Sequence, residues 1–125
     1  MSRWIVHAAA EFRASHALRS YLGKPEEEHS HLWRVAIRAG VDQLNDENYA
    51  LDFHALRRLL TETVTPLDGT LLDEHPEIGT PSPTAENLAL FLARRLGPAV
   101  EELGGTLVGI SIWEGPGNQV DFNLD

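Results

Sequence analysis

Three histidines in the amino-terminal part of the chain have the types and spacing of a metal site: His16, His29 and His31. Successive side chains of a β-strand point to opposite faces, so His29 and His31 share a face if residues 32–37 continue their strand. His16 would then supply a third nitrogen from the end of a preceding strand. Three neutral imidazoles and one open position are the usual ligand set of a catalytic zinc ion. The pattern therefore predicts a zinc site that binds or activates a substrate.

The alternative is that these histidines lie on an exposed loop and a strand edge and bind no metal. An isolated His-x-His pair is a weak motif, because many such pairs occur by chance. The chain contains no cysteine. A closed site completed by thiolates, a disulfide framework and thiol chemistry are therefore all excluded.

Length, composition and charge limit the class of protein. The chain has 125 residues, which predicts one domain spanning residues 1–125. Its 42% of hydrophobic and 23% of charged residues are typical of a folded soluble protein. We find no signal peptide and no apolar run near the roughly 20 residues of a membrane span, so we expect a cytoplasmic protein without a membrane partner. The net charge of −9 argues against a nucleic-acid partner, because phosphate binding requires clustered lysine and arginine.

The amino-terminal half predicts two strands followed by a helix. Alternating polarity predicts strands over residues 4–12 and 31–39, separated by a loop at residues 20–28. The period then changes to that of an amphipathic helix. This helix is expected to begin after Asp52, a suitable amino-terminal cap, and to end near residues 65–66, because the residue before a proline disfavours helix.

The carboxy-terminal half predicts a second helix and a hairpin. After a long connection, Ser82 is expected to cap the helix and Pro83 to occupy its first position. The Gly97-Pro98 pair is expected to break or kink it. Residues 106–113 and 119–124 predict two strands joined by a turn. This order predicts an α+β fold, with a four-stranded antiparallel sheet and both helices on one face.

Six short motifs occur in the order expected of the 6-pyruvoyl-tetrahydropterin synthase family, which includes the 6-carboxytetrahydropterin synthases of queuosine biosynthesis. They are F-x-x-S-H-x-L at 12–18, H-S-H at 29–31, L-D-F-H-A-L at 51–56, L-D-G at 67–69, P-T-A-E-N-L-A at 83–89 and W-E at 113–114. The chain therefore resembles this family over nearly its whole length. The resemblance implies a tunnelling fold whose subunits form a barrel, usually a trimer that stacks into a homo-hexamer.

The resemblance also implies roles for single residues. It implies that His16, His29 and His31 bind Zn²⁺, with Ser30 in place of the family's glycine. It implies that Glu114 anchors the ring of a pterin-like substrate, because a carboxylate can accept two parallel hydrogen bonds from an aminopyrimidine edge. Without the resemblance, Glu114 would be interpreted as a surface residue at the end of a hairpin.

Two of these motifs, P-T-A-E-N-L-A and L-D-G, match family residues that bind the substrate or transfer protons. Thr84 and Glu86 match the family's substrate-binding turn, although by themselves they are also typical of a helix start. Asp68 matches the aspartate of the family's Asp–His proton relay, whereas Gly69 stands at the place of its histidine. His75 lies in the same connection and could substitute, although a surface position is the more common one for such a histidine.

The chain also lacks the cysteine that acts as general base in typical members. Glu26 lies three residues before His29 in the pattern E-x-x-H-S-H, which is similar to a subgroup in which glutamate replaces that cysteine. Members of this subgroup cleave the side chain of 7,8-dihydroneopterin triphosphate to 6-hydroxymethyl-7,8-dihydropterin, which feeds folate synthesis. The resemblance thus implies Glu26 as the base, with Asp68 as a second catalytic residue. The alternative is that residues 26–28 form a solvated acidic loop.

Three functions remain open from the sequence. The first is a zinc-dependent carbon–oxygen or carbon–carbon lyase that acts on 7,8-dihydroneopterin triphosphate or a related pterin. The second is an enzyme for a different small heterocycle, and the third is a protein that binds metal and pterin without turnover. The position of Glu26 favours the first function, whereas Gly69 favours the other two.

Overall fold

The computed structural model describes residues 2–124, which form one five-stranded sheet and two α-helices. The strands are β1 (Trp4–His16), β2 (His29–Val41), β3 (Thr70–Leu71), β4 (Thr106–Glu114) and β5 (Gln119–Asn123), and the helices are α1 (Phe53–Val64) and α2 (Ala85–Glu102). The order across the sheet is β3-β1-β2-β4-β5. All neighbouring strands are antiparallel except β3, which pairs parallel to β1. The α+β fold predicted from the sequence is confirmed.

The sheet has one strand more than the four that were predicted. The additional strand, β3, has two residues and lies in the segment that was expected to be a long connection. Two residues carry no detectable alternation of polarity, so this strand has no sequence signal. Its pairing depends on contacts with Ala14 and Ser15 of β1, which lie far away in the sequence.

The register of β1 and β2 determines which side chains face the helices. The two strands pair along all thirteen residues of each, with Phe12 opposite Trp33 and His16 opposite His29. Alternation along β1 buries Phe12, Ala14 and His16 on the face that carries the hydrophobic core. At one end of the sheet, this core face therefore continues from apolar residues into histidines.

Both helices bury an apolar face in the same core. Helix α1 begins as predicted: the carboxylate of Asp52 accepts hydrogen bonds from the backbone N–H groups of His54 and Ala55, at 2.8 and 3.2 Å. The buried residues of the two helices are Leu56, Leu60 and Val64 in α1, and Ala85, Leu88, Ala89, Phe91, Leu92, Leu96 and Val100 in α2. Within residues 2–124, neither helix combines the length and apolar character that crossing a membrane requires.

The start of α2 differs from the prediction. Thr84, and not Ser82, caps this helix, since its hydroxyl accepts a hydrogen bond from the backbone N–H of Asn87 at 3.0 Å. The hydroxyl of Ser82 instead accepts from the backbone N–H of Arg19, also at 3.0 Å. Both residues are good cap types, and this contact with a distant loop decides between them.

Of the break or kink expected at Gly97-Pro98, the break does not occur, because α2 continues without interruption to Glu102. A proline inside a helix removes one backbone hydrogen bond and crowds the preceding turn, at a cost of about 3 kcal/mol. Leu96 and Val100, on either side of Pro98, are almost completely buried in the core. Their burial offsets this cost and keeps the last turns of α2 against the sheet.

Substitution of a buried leucine of α2 tests this description of the core. Leu92 is 0% exposed and Leu90 is 42% exposed in the same helix. We expect Leu92→Ala to lower the free energy of unfolding by about 2–5 kcal/mol, because it leaves a cavity in a packed core. Chemical denaturation followed by circular dichroism measures this difference. Leu90→Ala is the matched control, and an equal loss in both variants would contradict the placement of the core.

Candidate functional site

Four side chains meet where β1 ends, β2 begins and β4 ends. They belong to His16, His29, His31 and Glu114, and one possible ligand atom of each lies within 4.8 Å of the others. The sheet explains this proximity, because His16 is directly opposite His29 and Glu114 is opposite Trp33. The structure thus brings together the three histidines that the sequence singled out, and adds a carboxylate to them. We call these four residues, which could hold a metal ion, the metal centre.

Hydrogen bonds to backbone carbonyl groups fix the orientation of two histidines. Nδ1 of His16 lies 2.8 Å from the carbonyl oxygen of Pro83, and Nδ1 of His29 lies 2.9 Å from that of Glu27. A carbonyl oxygen can only accept, so each Nδ1 donates a proton, and in the neutral ring Nε2 is then the nitrogen with a free lone pair. Metal-binding histidines in proteins are usually oriented in this way.

The donor set fits a divalent cation. Nε2 of His16 and Nε2 of His31 are shielded from solvent and have no hydrogen-bond partner among residues 2–124. Such orphaned atoms cost free energy unless a partner satisfies them. Each also faces an oxygen of Glu114, at 3.4 and 3.7 Å respectively. A cation between the nitrogens and the carboxylate would satisfy all these atoms at once.

The electrostatics of His31 also favour metal binding. Burial lowers the pKa of His31 below its ordinary value, and the charges of His29 and His16 act in the same direction. The carboxylate of Glu114 opposes this shift without cancelling it. The lowered pKa favours the neutral imidazole of His31, which is the form that binds a metal ion.

Trp33 supports the histidines from the core side. Its side chain is 0% exposed, and its ring lies edge-to-face to the rings of His16 and His31, with centroids 4.9 and 5.9 Å away. Its Nε1–H donates to the carbonyl oxygen of Ala14 at 3.1 Å. The sequence identified Trp33 only as a strand residue, because its contact with His16 depends on the register of β1 and β2.

The turn before α2 supports His16 from the opposite side. Asn87 donates from Nδ2 to the carbonyl oxygen of Ser82 at 2.7 Å, which fixes the backbone next to Pro83. Thr84 caps the helix immediately after it. The P-T-A-E-N motif therefore has a structural function in orienting His16, and this role of Pro83 and Asn87 could not be identified from the sequence.

An open pocket of about 410 Å³ adjoins the metal centre. Glu114 belongs to both, since its carboxylate faces the histidines and its side chain also lines the pocket. The other residues that line the pocket are Leu18, Thr84, Ala85, Glu86, Ile112, Gly117, Asn118, Gln119 and Val120. The structure thus places Thr84, Glu86 and Glu114, the predicted substrate-binding residues, around one cavity.

Glu26 lies beside the metal centre. Its Oε1 is 3.9 Å from Nδ1 of His29 and accepts a hydrogen bond from the backbone N–H of Leu18 at 2.9 Å. The side chain of Glu26 is 25% exposed, whereas its neighbours Glu27 and Glu28 are exposed residues. Glu26 therefore differs from the rest of the acidic loop in both its burial and its contacts.

Asp68 lies away from the metal centre of its own chain. Its carboxylate is exposed and accepts a hydrogen bond from the backbone N–H of Arg13 at 2.8 Å. The next residue, Gly69, has a φ of +76° and donates from its backbone N–H to the carbonyl oxygen of Arg13 at 2.7 Å. A histidine at position 69 would be strained in this left-handed conformation.

His75 does not replace the missing relay histidine within the chain. Its Nδ1 accepts hydrogen bonds from the backbone N–H groups of Glu77 and Ile78, at 3.1 and 3.2 Å. Its ring packs edge-to-face on Phe91, with centroids 4.8 Å apart. These contacts assign His75 to the support of the turn at residues 75–78.

Comparisons with known proteins agree with this geometry. The family model described as 6-pyruvoyl tetrahydropterin synthase matches residues 5–124. A protein of Archaeoglobus fulgidus, provisionally named 6-carboxy-5,6,7,8-tetrahydropterin synthase, is 30% identical over 92 residues, which cover 74% of this chain and 75% of that protein.

Solved structures show the same fold. The 6-pyruvoyl tetrahydropterin synthase of Caenorhabditis elegans superposes with a TM-score of 0.80 at 18% identity, covering 100% of this chain and 99% of that one. The corresponding enzyme of Plasmodium vivax superposes with a TM-score of 0.70 at 15% identity, covering 97% and 99%. Two further structures of the Plasmodium vivax protein carry alanine or cysteine in place of a glutamate that is described as a catalytic residue.

Zinc-dependent stabilisation tests the metal centre. At a zinc concentration about 100 times the dissociation constant, binding to the folded state should raise the free energy of unfolding by about 2.7 kcal/mol. We expect His16→Asn to abolish this increase, because it removes a buried ligand nitrogen. Denaturation of each protein with and without Zn²⁺ measures the increase in its free energy of unfolding. A substitution that changes the stability of the metal-free protein does not affect this difference.

His54→Asn is the matched control, since His54 lies exposed on α1. The control should be stabilised by zinc as strongly as the unchanged protein. Stabilisation of His16→Asn to the same extent would show that the three histidines do not form the metal site.

Proposed function

The chain belongs to the 6-pyruvoyl tetrahydropterin synthase family, and we propose that it is a zinc-dependent lyase acting on 7,8-dihydroneopterin triphosphate or a related pterin. One observation carries this proposal: a cluster of three imidazoles and an open pocket share the residue Glu114. A metal ion and a small heterocycle could therefore be bound side by side. The proposal places the reaction in the cytoplasm, in folate or queuosine biosynthesis.

In this proposal His16, His29 and His31 hold Zn²⁺ through their Nε2 atoms. When bound, the zinc ion supplies Lewis-acid chemistry, which makes hydroxyl groups of a substrate side chain more acidic. The hydrogen bonds from Nδ1 of His16 and His29 orient both rings before any ligand arrives. The chain thus contributes a preorganised site with little freedom to be lost on binding.

Substrate binding is assigned to the pocket. Glu114 would accept two parallel hydrogen bonds from the aminopyrimidine edge of the ring. Thr84 and Glu86 line the same cavity and would contact the ring as well. Leu18 and Val120 provide apolar surface for its faces, which is typical of sites for flat heterocycles.

Glu26 is proposed as the general base. Its carboxylate is adjacent to His29 and is fixed by the backbone N–H of Leu18. A base must lie within hydrogen-bond reach of the proton that it removes, and a substrate side chain near the zinc ion would meet this condition. The glutamate described as a catalytic residue in the Plasmodium vivax structures supports a carboxylate in this role.

Asp68 is proposed as the second catalytic residue. Within one chain its carboxylate is bound to the backbone of Arg13 and does not belong to the metal centre or to the pocket. A catalytic role for Asp68 therefore requires a second copy of the chain to present it to the site. The proposed homo-hexamer, a dimer of trimers, could provide this arrangement.

A different small heterocycle as substrate, or binding of metal and pterin without turnover, is the second candidate. The observation that favours it is the left-handed backbone at Gly69, which occupies the place of the relay histidine. In that case the metal centre and the pocket would keep their binding roles, whereas Glu26 would have no catalytic function.

Product analysis distinguishes these candidates. We expect the zinc-loaded protein to convert 7,8-dihydroneopterin triphosphate to 6-hydroxymethyl-7,8-dihydropterin, identified by mass spectrometry. Glu26→Gln should lower the rate by about 10²–10⁴-fold, because it removes a general base and keeps the size of the side chain. Glu28→Gln is the matched control on the same loop and should keep the original rate.

Two outcomes would contradict this assignment in different ways. Absence of any product from the zinc-loaded protein would favour the second candidate. A rate of Glu26→Gln equal to that of the unchanged protein would exclude Glu26 as the base.

A further inference from the structure

Glu114 occupies a position between two binding sites. Its Oε1 lies 3.4 Å from Nε2 of His16, and its Oε2 lies 3.7 Å from Nε2 of His31. The same side chain borders the pocket that also contains Thr84 and Glu86. It is 27% exposed, so part of it remains open to the pocket side. A carboxylate in this position can serve either site.

The two distances identify the kind of contact between Glu114 and the histidines. A hydrogen bond between an imidazolium and a carboxylate would bring nitrogen and oxygen to roughly 2.7–2.9 Å. Two donors bound to one tetrahedral zinc ion, at bond lengths of about 2.0–2.2 Å, lie roughly 3.3–3.6 Å apart. The observed distance of 3.4 Å lies within the second range and that of 3.7 Å lies just above it, and both are longer than a charged hydrogen bond. Glu114 is thus spaced from these nitrogens as a fellow metal ligand would be.

The position of the proton on the ring of His16 supports the same conclusion. Its Nδ1 carries the proton that is donated to Pro83. When the ring is neutral, its Nε2 therefore directs a lone pair at a carboxylate oxygen in a nearly dry environment. Two electron-rich atoms in such an environment repel each other unless a cation lies between them.

We propose that Glu114 is a fourth metal ligand that closes the metal centre in the absence of substrate and is displaced when a heterocycle binds in the pocket. The identity of that heterocycle as a pterin rests on the proposed function, whereas the fourth ligand does not. The two roles compete, because two parallel hydrogen bonds from a ring edge use both carboxylate oxygens, and metal binding uses at least one of them. Binding of the ring thus opens a coordination position next to it.

The displacement needs only the side chain of Glu114 to rotate. The backbone N–H of Glu114 donates to the carbonyl oxygen of Asn118 at 2.9 Å, which holds the residue at the end of the sheet. Gly115 follows with a φ of +74° and begins the turn to β5. The backbone is therefore fixed on both sides, and rotation of the side-chain bonds is sufficient to move the carboxylate from the metal centre towards the pocket.

Zinc affinity in the absence of substrate tests the fourth ligand. Competition with a chromophoric chelator measures the dissociation constant of Zn²⁺ for the full chain. Glu114→Gln keeps the size of the side chain but is a poor ligand, and we expect it to weaken zinc binding at least about tenfold. Glu86→Gln removes a carboxylate from the same pocket and should leave zinc affinity unchanged. Equal zinc affinity of Glu114→Gln and the unchanged protein would overturn the proposal.

A second measurement on the unchanged protein tests the displacement and does not depend on the folding of a variant. Unsubstituted pterin is the probe, because it has the ring edge but no side chain that could reach the metal. Its addition to the cobalt-substituted protein should change the visible absorption spectrum, since the ligand set changes. By linkage, zinc should also weaken pterin binding to the unchanged protein.

The outcomes separate this proposal from the proposed function. Binding of pterin without any change in the cobalt spectrum would overturn the displacement. Absence of pterin binding to the unchanged protein would contradict the proposed function and the displacement together. In either case, the zinc affinities of Glu114→Gln and Glu86→Gln decide whether Glu114 is a fourth metal ligand.

Discussion

The register of β1 against β2 is the constraint on which the rest of the structure depends. It places Phe12 opposite Trp33, Ala14 opposite His31 and His16 opposite His29. A shift of one residue would turn every side chain of one strand to the opposite face. The same error would therefore expose the hydrophobic core and separate the histidines. Folding of the core and assembly of the metal centre are thus controlled by one set of backbone hydrogen bonds.

The metal centre is supported on its buried side and is accessible to solvent on the other. His16 is fixed by Pro83 from the helix side and by Trp33 from the sheet side. His29, His31 and Glu114 each retain about a quarter to a third of their side-chain exposure. One buried histidine therefore positions the cluster, and the more exposed side chains leave it accessible from solvent. This division is suitable for a site whose ligand set changes during function.

The sequence predicted those features that depend on residues near one another in the chain. Alternating polarity identified the strands, Asp52 identified the start of α1, and the spacing of His29 and His31 identified a shared face. Features that depend on distant contacts were missed or wrong. Ser82 does not cap α2, because its hydroxyl is bound to the backbone of Arg19. Pro98 lies within a helix, because the residues on both sides of it are buried. Strand β3 forms by pairing with β1. The family resemblance gave Glu114 one role, but its proximity to His16 required the three-dimensional pairing of β2 with β4.

The segment with Asp68 and Gly69 shows how backbone geometry limits chemistry. Both residues form hydrogen bonds with the backbone of Arg13, so this segment is attached to the edge of β1. The left-handed conformation at Gly69 would cost a histidine about 1–2 kcal/mol. A relay histidine at this position would therefore weaken the attachment that holds β3 to the sheet. Glu26 is under no such restriction, because its loop already presents the carboxylate beside His29. Within one subunit, the carboxylate of Glu26 therefore lies beside the metal centre, whereas Asp68 does not belong to it.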